Sequence, residues 1–289
     1  MTIKINIKNM TILAAFLAIV SFAVWAFGYG ALTDTRPRIT EGEYAMAWVQ
    51  CQNVLSKHNY YHGLGNHVEE LLDIWVKEDG EYAKTATWSN PNGVWEGMDL
   101  IKVFYGNPKT KDPKQTLKEM KKNEPFVAGK GSWGIHMNTT PVIEVAGDGK
   151  SARGIWFSPG VVMNYTGQKD KDGNDLAQGT WFWEKYGIDF VKEDGEWKIW
   201  HLQTYYDFTP PVGSESKWTN PATIQSPMAM QKSTDKKDEK AQVADAMGNL
   251  PKPSRENPDP YPQWSPTRVN TLRPELPEPY YTFDETANF

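Results

Sequence analysis

The chain has 289 residues, and its 31 Lys and Arg against 36 Asp and Glu give a net charge of −5. Nucleic-acid binders usually present a basic face, so this charge balance argues against one. The single cysteine, Cys51, excludes an internal disulfide framework and a thiolate metal cluster. Aromatic residues make up 13% of the chain, which favours a core or pocket built from flat, rigid side chains.

The first predicted element is an apolar segment near the N-terminus. Lys4 and Lys8 precede residues 12–31, which are almost all apolar. A helix of about 20 residues spans a bilayer, whereas the apolar part of a signal peptide usually has about 7–15. We therefore predict that residues 1–40 are an export signal or membrane anchor. The remainder would be membrane-anchored through residues 12–31, or periplasmic or secreted if the segment is cleaved.

Composition divides the rest of the chain near residue 218. Residues 41–218 hold eleven of the thirteen Trp and all five His, whereas residues 219–289 hold eleven of the twenty Pro. We predict a globular domain at 41–218. For 219–289 we expect a Pro-rich extended strap whose aromatic rings rest on that domain, and a disordered linker is the alternative.

Helical patterns come first in the globular part. Apolar residues fall at helical spacing over residues 41–57, and again over 68–76. The segment HNYYHGLGNH lies between them, and its glycines predict a break after the first helix. Residues 82–88 are typical of a short strand, and residues 96–105 of a third helix.

From residue 132 onward the hydrophobic period changes to two, which predicts a long antiparallel meander with glycine-containing turns. Two or three helices followed by such a meander indicate an α+β domain. A curved sheet folded over helices encloses a conical cavity, which we expect to hold a ligand.

Two sequence stretches carry a resemblance to a known family. VIEVAGDGKSARGIW at 142–156 and DGEWKI at 194–199 resemble the sheet pattern of the SnoaL-like branch of the nuclear-transport-factor-2-like (NTF2-like) superfamily. The resemblance covers about residues 42–210 and implies a curved-sheet cone, with a homodimer as a further expectation. The superfamily includes dehydratases, isomerases, polyketide cyclases and non-catalytic members.

The resemblance also implies catalytic residues. In similar dehydratases a pocket histidine lies on the first long strand, which here is His136. An imidazole titrates near neutral pH and suits proton transfer. Tyrosines at the place of Tyr60 and Tyr61 donate hydrogen bonds to the substrate oxygen in such enzymes, although the aspartate that often accompanies them is missing here.

Strand alternation points to a second group. Alternation along the last strand predicts that His201, Tyr205 and Asp207 share a face with the core residues of that strand. We therefore expect His201 to take part in catalysis, with Tyr205 and Asp207 contacting the substrate. The alternative is that this stretch only supports the C-terminal strap.

His58 and His62 lie four residues apart, a spacing at which two histidines on one helical face can ligate a metal. The predicted helix end at Gly63 and the lack of a third ligand at fixed spacing argue against a metal. We expect both histidines to contact the substrate instead, with no metal and no cofactor.

The tryptophans of the predicted sheet, Trp133, Trp156 and Trp183, suit a flat apolar ligand. These observations favour a cofactor-independent dehydratase, isomerase or related lyase that acts on a hydrophobic polycyclic or aromatic small molecule. The alternative is a non-catalytic exported protein that binds a small molecule or serves in assembly.

Overall fold

The computed structural model describes residues 35–106, 113–123, 131, 133–215, 218, 251–259, 261–265 and 267–285. The predicted membrane or export segment at residues 12–31 lies outside these ranges. Within them, no helix is both long and apolar enough to cross a membrane. The chain divides into two compact units, Met1–Arg38 and Ile39–Phe289, and all elements named below belong to the second.

The described residues form four α-helices: α1 (Glu41–Leu64), α2 (His67–Asp73), α3 (Met98–Gly106) and α4 (Pro113–Asn123). A capping box starts α1, because the Thr40 hydroxyl accepts the Glu43 amide proton and the Glu43 carboxylate accepts that of Thr40. Gly65 ends the helix with φ 73°, a left-handed conformation that glycine adopts without steric cost. Of the two glycines predicted to break the helix, only Gly65 does so. The helix continues past its predicted end near residue 57, through His58, His62 and Gly63, to Leu64.

Within the described ranges, seven strands form one sheet: β1 (Thr87–Asn90), β2 (Gly93–Glu96), β3 (Trp133–His136), β4 (Thr139–Val145), β5 (Ser151–Lys169), β6 (Asp175–Glu193) and β7 (Glu196–Phe208). Their order is β2-β1-β7-β6-β5-β3, and β4 also pairs with β5. The pair β1–β7 is parallel and the other pairs are antiparallel. Helices packed on a mixed, mostly antiparallel curved sheet confirm the predicted α+β class.

The predicted strand at 82–88 is displaced along the chain. Backbone hydrogen bonds form turns there, from Ala83 to the Gly80 carbonyl and from Ala86 to the Tyr82 carbonyl. The strand starts only at Thr87, because those turns use the donors that a ladder would need. A second strand, β2, occupies the predicted start of the third helix, which begins at Met98 instead.

The sheet has two faces that differ in their surroundings. Trp156, Tyr186 and Thr204 are partners across β5, β6 and β7 and therefore share a face. The Trp156 indole donates a 2.8 Å hydrogen bond to Gln52 on α1, so this face lies against the helix. We call it the inner face and the opposite one the outer face.

A β-bulge in β7 changes which residues reach each face. Phe190 pairs with Ile199 and Asp189 pairs with His201, so Trp200 is an extra residue between the two pairs. Side chains on either side of this bulge therefore do not follow one continuous alternation. Ile199 and Leu202 both reach the buried core.

Described residues near the C-terminus contact the domain at several places. The Trp95 indole donates to the Pro251 carbonyl at 2.7 Å. The Gly147 amide donates to the Tyr280 carbonyl at 2.9 Å. Residues 219–250 lie outside the described ranges, so the strap as a whole stays a prediction.

Candidate functional site

A buried carboxylate lies at the centre of a group of histidines. Glu70 on α2 is 0% exposed. Its Oε1 lies 2.7 Å from Nδ1 of His58, and its Oε2 lies 3.4 Å from Nδ1 of His62 and 3.1 Å from Nδ1 of His67. We call these four residues the Glu70 cluster. An ionised carboxylate only accepts hydrogen bonds, so each Nδ1 of the three rings donates to it.

Local folding explains why these side chains meet. His58 and His62 are one helical turn apart on α1, and their rings stack with centroids 5.1 Å apart. The turn at Gly65 reverses the chain into α2, which places His67 and Glu70 on one face of that helix, three residues apart. The cluster thus joins the last turns of α1 to the first turn of α2.

Burial and the interactions between charged groups shift the pKa values of the cluster in opposite directions. It lowers the pKa of His58 and of His62, against the opposing effect of the Glu70 charge. Burial would raise the pKa of Glu70, but the charges and hydrogen bonds of His58 and His62 hold that pKa well below its ordinary value. At neutral pH the ionised Glu70 carboxylate therefore faces neutral imidazoles at His58 and His62.

A tyrosine and a tryptophan lie beside the cluster. The buried Tyr105 hydroxyl faces both the Glu70 carboxylate and the Trp75 indole N–H. The Tyr105 ring lies 5.4 Å from that of His67, 5.7 Å from that of His62 and 6.2 Å from that of Trp75. Burial, and then the charge of Glu70, raise the pKa of Tyr105, which stays protonated and able to donate.

A second His–carboxylate pair lies next to the cluster. Nδ1 of His136 on β3 is 2.8 Å from Oε1 of Glu184 on β6. Glu184 is even-numbered like Tyr186, so it lies on the inner face. The rings of His62 and His136 are 6.1 Å apart, and those of His58 and Tyr186 are 5.7 Å apart. The two groups therefore form one continuous polar region between helices and sheet.

The tyrosines expected to hold the substrate oxygen lie elsewhere. Tyr60 is 74% exposed, because it lies on the solvent side of α1. The Tyr61 hydroxyl donates to Asp73 at 2.9 Å, and Lys57 donates to the same carboxylate at 2.8 Å. The structure brings neither hydroxyl to His136, which corrects the expected arrangement.

His201, Tyr205 and Asp207 lie on the outer face, which corrects the expectation that they share a cavity with His136. Nδ1 of His201 is 2.8 Å from Asp189. Tyr205 packs edge-on against Tyr261, whose hydroxyl donates to Asp207 at 2.6 Å. The bulge at Trp200 is the physical reason. The prediction assumed regular alternation along β7, and one extra residue moves the side chains that follow it to the opposite face.

The three tryptophans divide between the two faces. Trp156 is 1% exposed on the inner face and is part of the hydrophobic core. Trp133 and Trp183 lie on the outer face, because the strand registers place both of them opposite to the residues of the inner face. They are 51% and 39% exposed. They do not line one wall with Trp156, since successive strand residues point to opposite faces.

Sequence reasoning missed Glu70, Glu184 and Tyr105. Glu184 could have been found by alternation, since it is two residues from Tyr186 on the same strand. The spacing of His67 and Glu70 also indicates a shared helical face. Nothing local marks Tyr105, which reaches the cluster from α3 through tertiary packing.

His58, His62 and Glu70 are also a candidate metal-ligating group, since one ligand atom from each lies within 4.8 Å of the others. A cleft of about 170 Å³ is lined in part by α2, and His136 does not line it. Its lining residues are Leu71, Leu72, Lys77, Glu78, Asp79, Met98, Lys102 and Leu117.

Solved structures with detectable similarity share the general arrangement. A protein named as a candidate scytalone dehydratase from Novosphingobium aromaticivorans is 16% identical, with 59% of this chain and 90% of that chain covered and a TM-score of 0.40. A hexachlorocyclohexane dehydrochlorinase, LinA-type3 from Novosphingobium barchaimii, is 16% identical, with 60% and 94% covered and a TM-score of 0.39. Rv3472 from Mycobacterium tuberculosis, of unknown function, is 17% identical, with 72% and 94% covered and a TM-score of 0.38.

At 16–17% identity, these three proteins carry no information on what this chain binds or converts. No curated protein matches the sequence. The helices and curved sheet, with a polar region between them, define an NTF2-like domain. The model of the SnoaL-like domain family matches residues 44–203, and the chain therefore belongs to that family.

Proposed function

We propose that the domain is a lyase or isomerase that moves a proton on a small apolar molecule, with His136 as general acid–base. The observation that carries this proposal is the 2.8 Å contact between Nδ1 of His136 and the buried carboxylate of Glu184. When Nδ1 donates to Glu184, the lone pair of the neutral ring is at Nε2. Nε2 then takes a proton from carbon, and the carboxylate orients the ring and stabilises the imidazolium.

The neighbours of His136 support an apolar substrate that carries one oxygen. The Phe182 ring lies 5.3 Å from the His136 ring. The buried Ser158 hydroxyl lies on the inner face within reach of the Tyr186 hydroxyl. In this proposal the Ser158 hydroxyl donates to an oxygen that gains negative charge as the proton leaves. The His136 imidazolium then gives the proton back, either to the departing hydroxyl, which leaves as water in a dehydration, or to a different carbon in an isomerisation.

The N-terminal segment supports an export route for this activity. Residues 12–31 are apolar over a length that suits a membrane span. We propose that the domain works outside the cytoplasm, anchored or released. Fractionation of cells that express the full chain, with immunodetection of each fraction, tests this. Recovery of all the protein in the cytosol would contradict it.

Proton exchange tests the chemistry without knowledge of the natural substrate. The full chain is incubated in D₂O with bicyclic ketones such as 2-tetralone, and deuterium uptake beyond the uncatalysed rate is measured by mass spectrometry. General acid–base groups typically contribute about 10²–10⁴-fold, so His136→Gln and Glu184→Gln should lose most of the catalysed exchange. Glu144→Gln is the matched control, since that β4 carboxylate contacts Tyr44 instead of His136.

Equal exchange in His136→Gln and the unmodified chain would refute the proposal. The second candidate is a non-catalytic binding protein. It is favoured by the filling of the described interior with bulky core side chains, among them Trp156 and Phe190. Under that alternative the chain would retain a co-purified aromatic molecule, identified by mass spectrometry, and would catalyse no exchange on it.

A further inference from the structure

We propose that His58, His62 and Glu70 bind a divalent transition-metal ion, for which Zn²⁺ is the probe. Two imidazoles and one carboxylate are a donor set that binds zinc and other first-row transition metals. This site goes beyond the proposed acid–base chemistry, which uses His136 and Glu184. Binding is measured without substrate, so either proposal can fail while the other stands.

The ligand atoms are close to the required spacing. For bonds of about 2.0–2.1 Å in a tetrahedral site, neighbouring ligand atoms lie about 3.4 Å apart. Nδ1 of His58 and of His62 lie 2.7 Å and 3.4 Å from the Glu70 oxygens. One ligand atom from each of the three residues lies within 4.8 Å of the others. Small side-chain rotations would let the ion replace the protons that these atoms now share.

The surrounding groups are suited to hold the carboxylate ligand in place. The Tyr105 hydroxyl faces Glu70, and its ring packs against the His62 ring with centroids 5.7 Å apart. His67 holds Oε2 of Glu70 at 3.1 Å and would orient the carboxylate ligand.

Hard cations fit this site poorly. Mg²⁺ and Ca²⁺ prefer sets of oxygen ligands, whereas imidazole nitrogen suits zinc, copper, iron and nickel. Only one of the three proposed ligands is an oxygen donor. Mg²⁺ is therefore the internal control for non-specific attraction to the carboxylate.

The test is a titration of the full chain after treatment with a chelator and its removal. Isothermal titration calorimetry with Zn²⁺ should show one equivalent bound, and Mg²⁺ should give no comparable signal. Removal of a residue that only orients a metal ligand typically weakens metal binding by about 10–100-fold. His62→Gln and Glu70→Gln each remove a proposed ligand, so each should weaken Zn²⁺ binding by more than that. Cobalt(II) substitution should give visible absorption bands that are lost in both variants.

His201→Gln is the matched control, because His201 also contacts a buried carboxylate, Asp189 at 2.8 Å, on the other sheet face. It should bind Zn²⁺ like the unmodified chain. His62 has a partly exposed side chain, so His62→Gln should remain folded by circular dichroism even if Glu70→Gln does not. The proposal is overturned if the stripped chain takes up no Zn²⁺, or if folded His62→Gln binds with unchanged affinity.

Discussion

His136 on β3 is the register partner of Gly160 on β5, and the two backbones approach closely because residue 160 has no side chain. A Cβ at this position would lie 3.1 Å from Cα of His136 and would overlap the carbonyl oxygen of Ile135. The place of the proposed acid–base residue therefore depends on a glycine in the neighbouring strand.

Gly160→Ala should separate β3 from β5. Overpacking of this kind typically costs about 1–3 kcal/mol, and we expect that loss in the free energy of unfolding from urea titration. Gly42→Ala on α1 is the control, because a Cβ there meets nothing within 4 Å. It should be neutral or stabilising by up to about 1 kcal/mol. A Gly160→Ala protein as stable as the unmodified chain would contradict the close packing.

Glu70→Ala should destabilise the metal-free protein strongly. The carboxylate accepts from three imidazoles, and its removal leaves buried donors without an acceptor. We expect a loss of about 3–5 kcal/mol in urea unfolding. Lys169→Ala, which removes an exposed ion pair with Asp175, should cost less than about 1 kcal/mol. Similar losses in the two variants would show that the Glu70 cluster adds little to stability.

Acid should weaken the metal-free fold before ordinary carboxylates titrate. The folded pKa values of His58 and His62 lie below the unfolded value of about 6.5, so the unfolded chain binds protons first as the pH falls. The buried His58 ring then removes up to about 1.4 kcal/mol per pH unit below pH 6.5, and the His62 ring removes less, because its side chain is 37% exposed and solvent screens its charge. Urea unfolding in chelator at pH 8, 6.5 and 5 measures this. The His58→Gln/His62→Gln double variant should show a flatter dependence, and an equally steep one would refute the assignment.

Trp156 and Trp133 should differ sharply when each is truncated. Trp156→Ala removes a fully buried ring that bonds Gln52, and such changes typically cost about 3–5 kcal/mol. Trp133 is half exposed on the outer face, so Trp133→Ala should change the free energy of unfolding by only about 0.5 kcal/mol. Thermal or urea unfolding of the two variants compares them directly. Equal losses in the free energy of unfolding would contradict the assignment of Trp156 to the buried inner face and of Trp133 to the exposed outer face.

Periodicity was sufficient for the fold class. The change from helical spacing to a period of two near residue 132 predicts the helices and the long strands β5–β7. The VIEV and DGEWKI stretches further identify the SnoaL-like pattern, which the family match at residues 44–203 confirms.

The site could be predicted only in part. Local pattern places His58 and His62 together, but their partner Glu70 comes from the next helix and depends on the chain reversal at Gly65. The extra residue Trp200 in β7 moves His201 to the outer face, and alternation cannot reveal a bulge. The contact of His136 with Glu184 joins strands 48 residues apart in sequence, so no short window contains it.

Tyr261 lies well beyond the stretch that matches the family. Its hydroxyl forms hydrogen bonds of 2.6–2.7 Å with Lys185, Asp207 and Arg268. The family match ends at residue 203, yet Tyr261 and Tyr280, whose hydroxyls contact Lys185 and Ser151 of the domain, lie beyond it. A version trimmed to the family boundaries would therefore lose part of its own structural support.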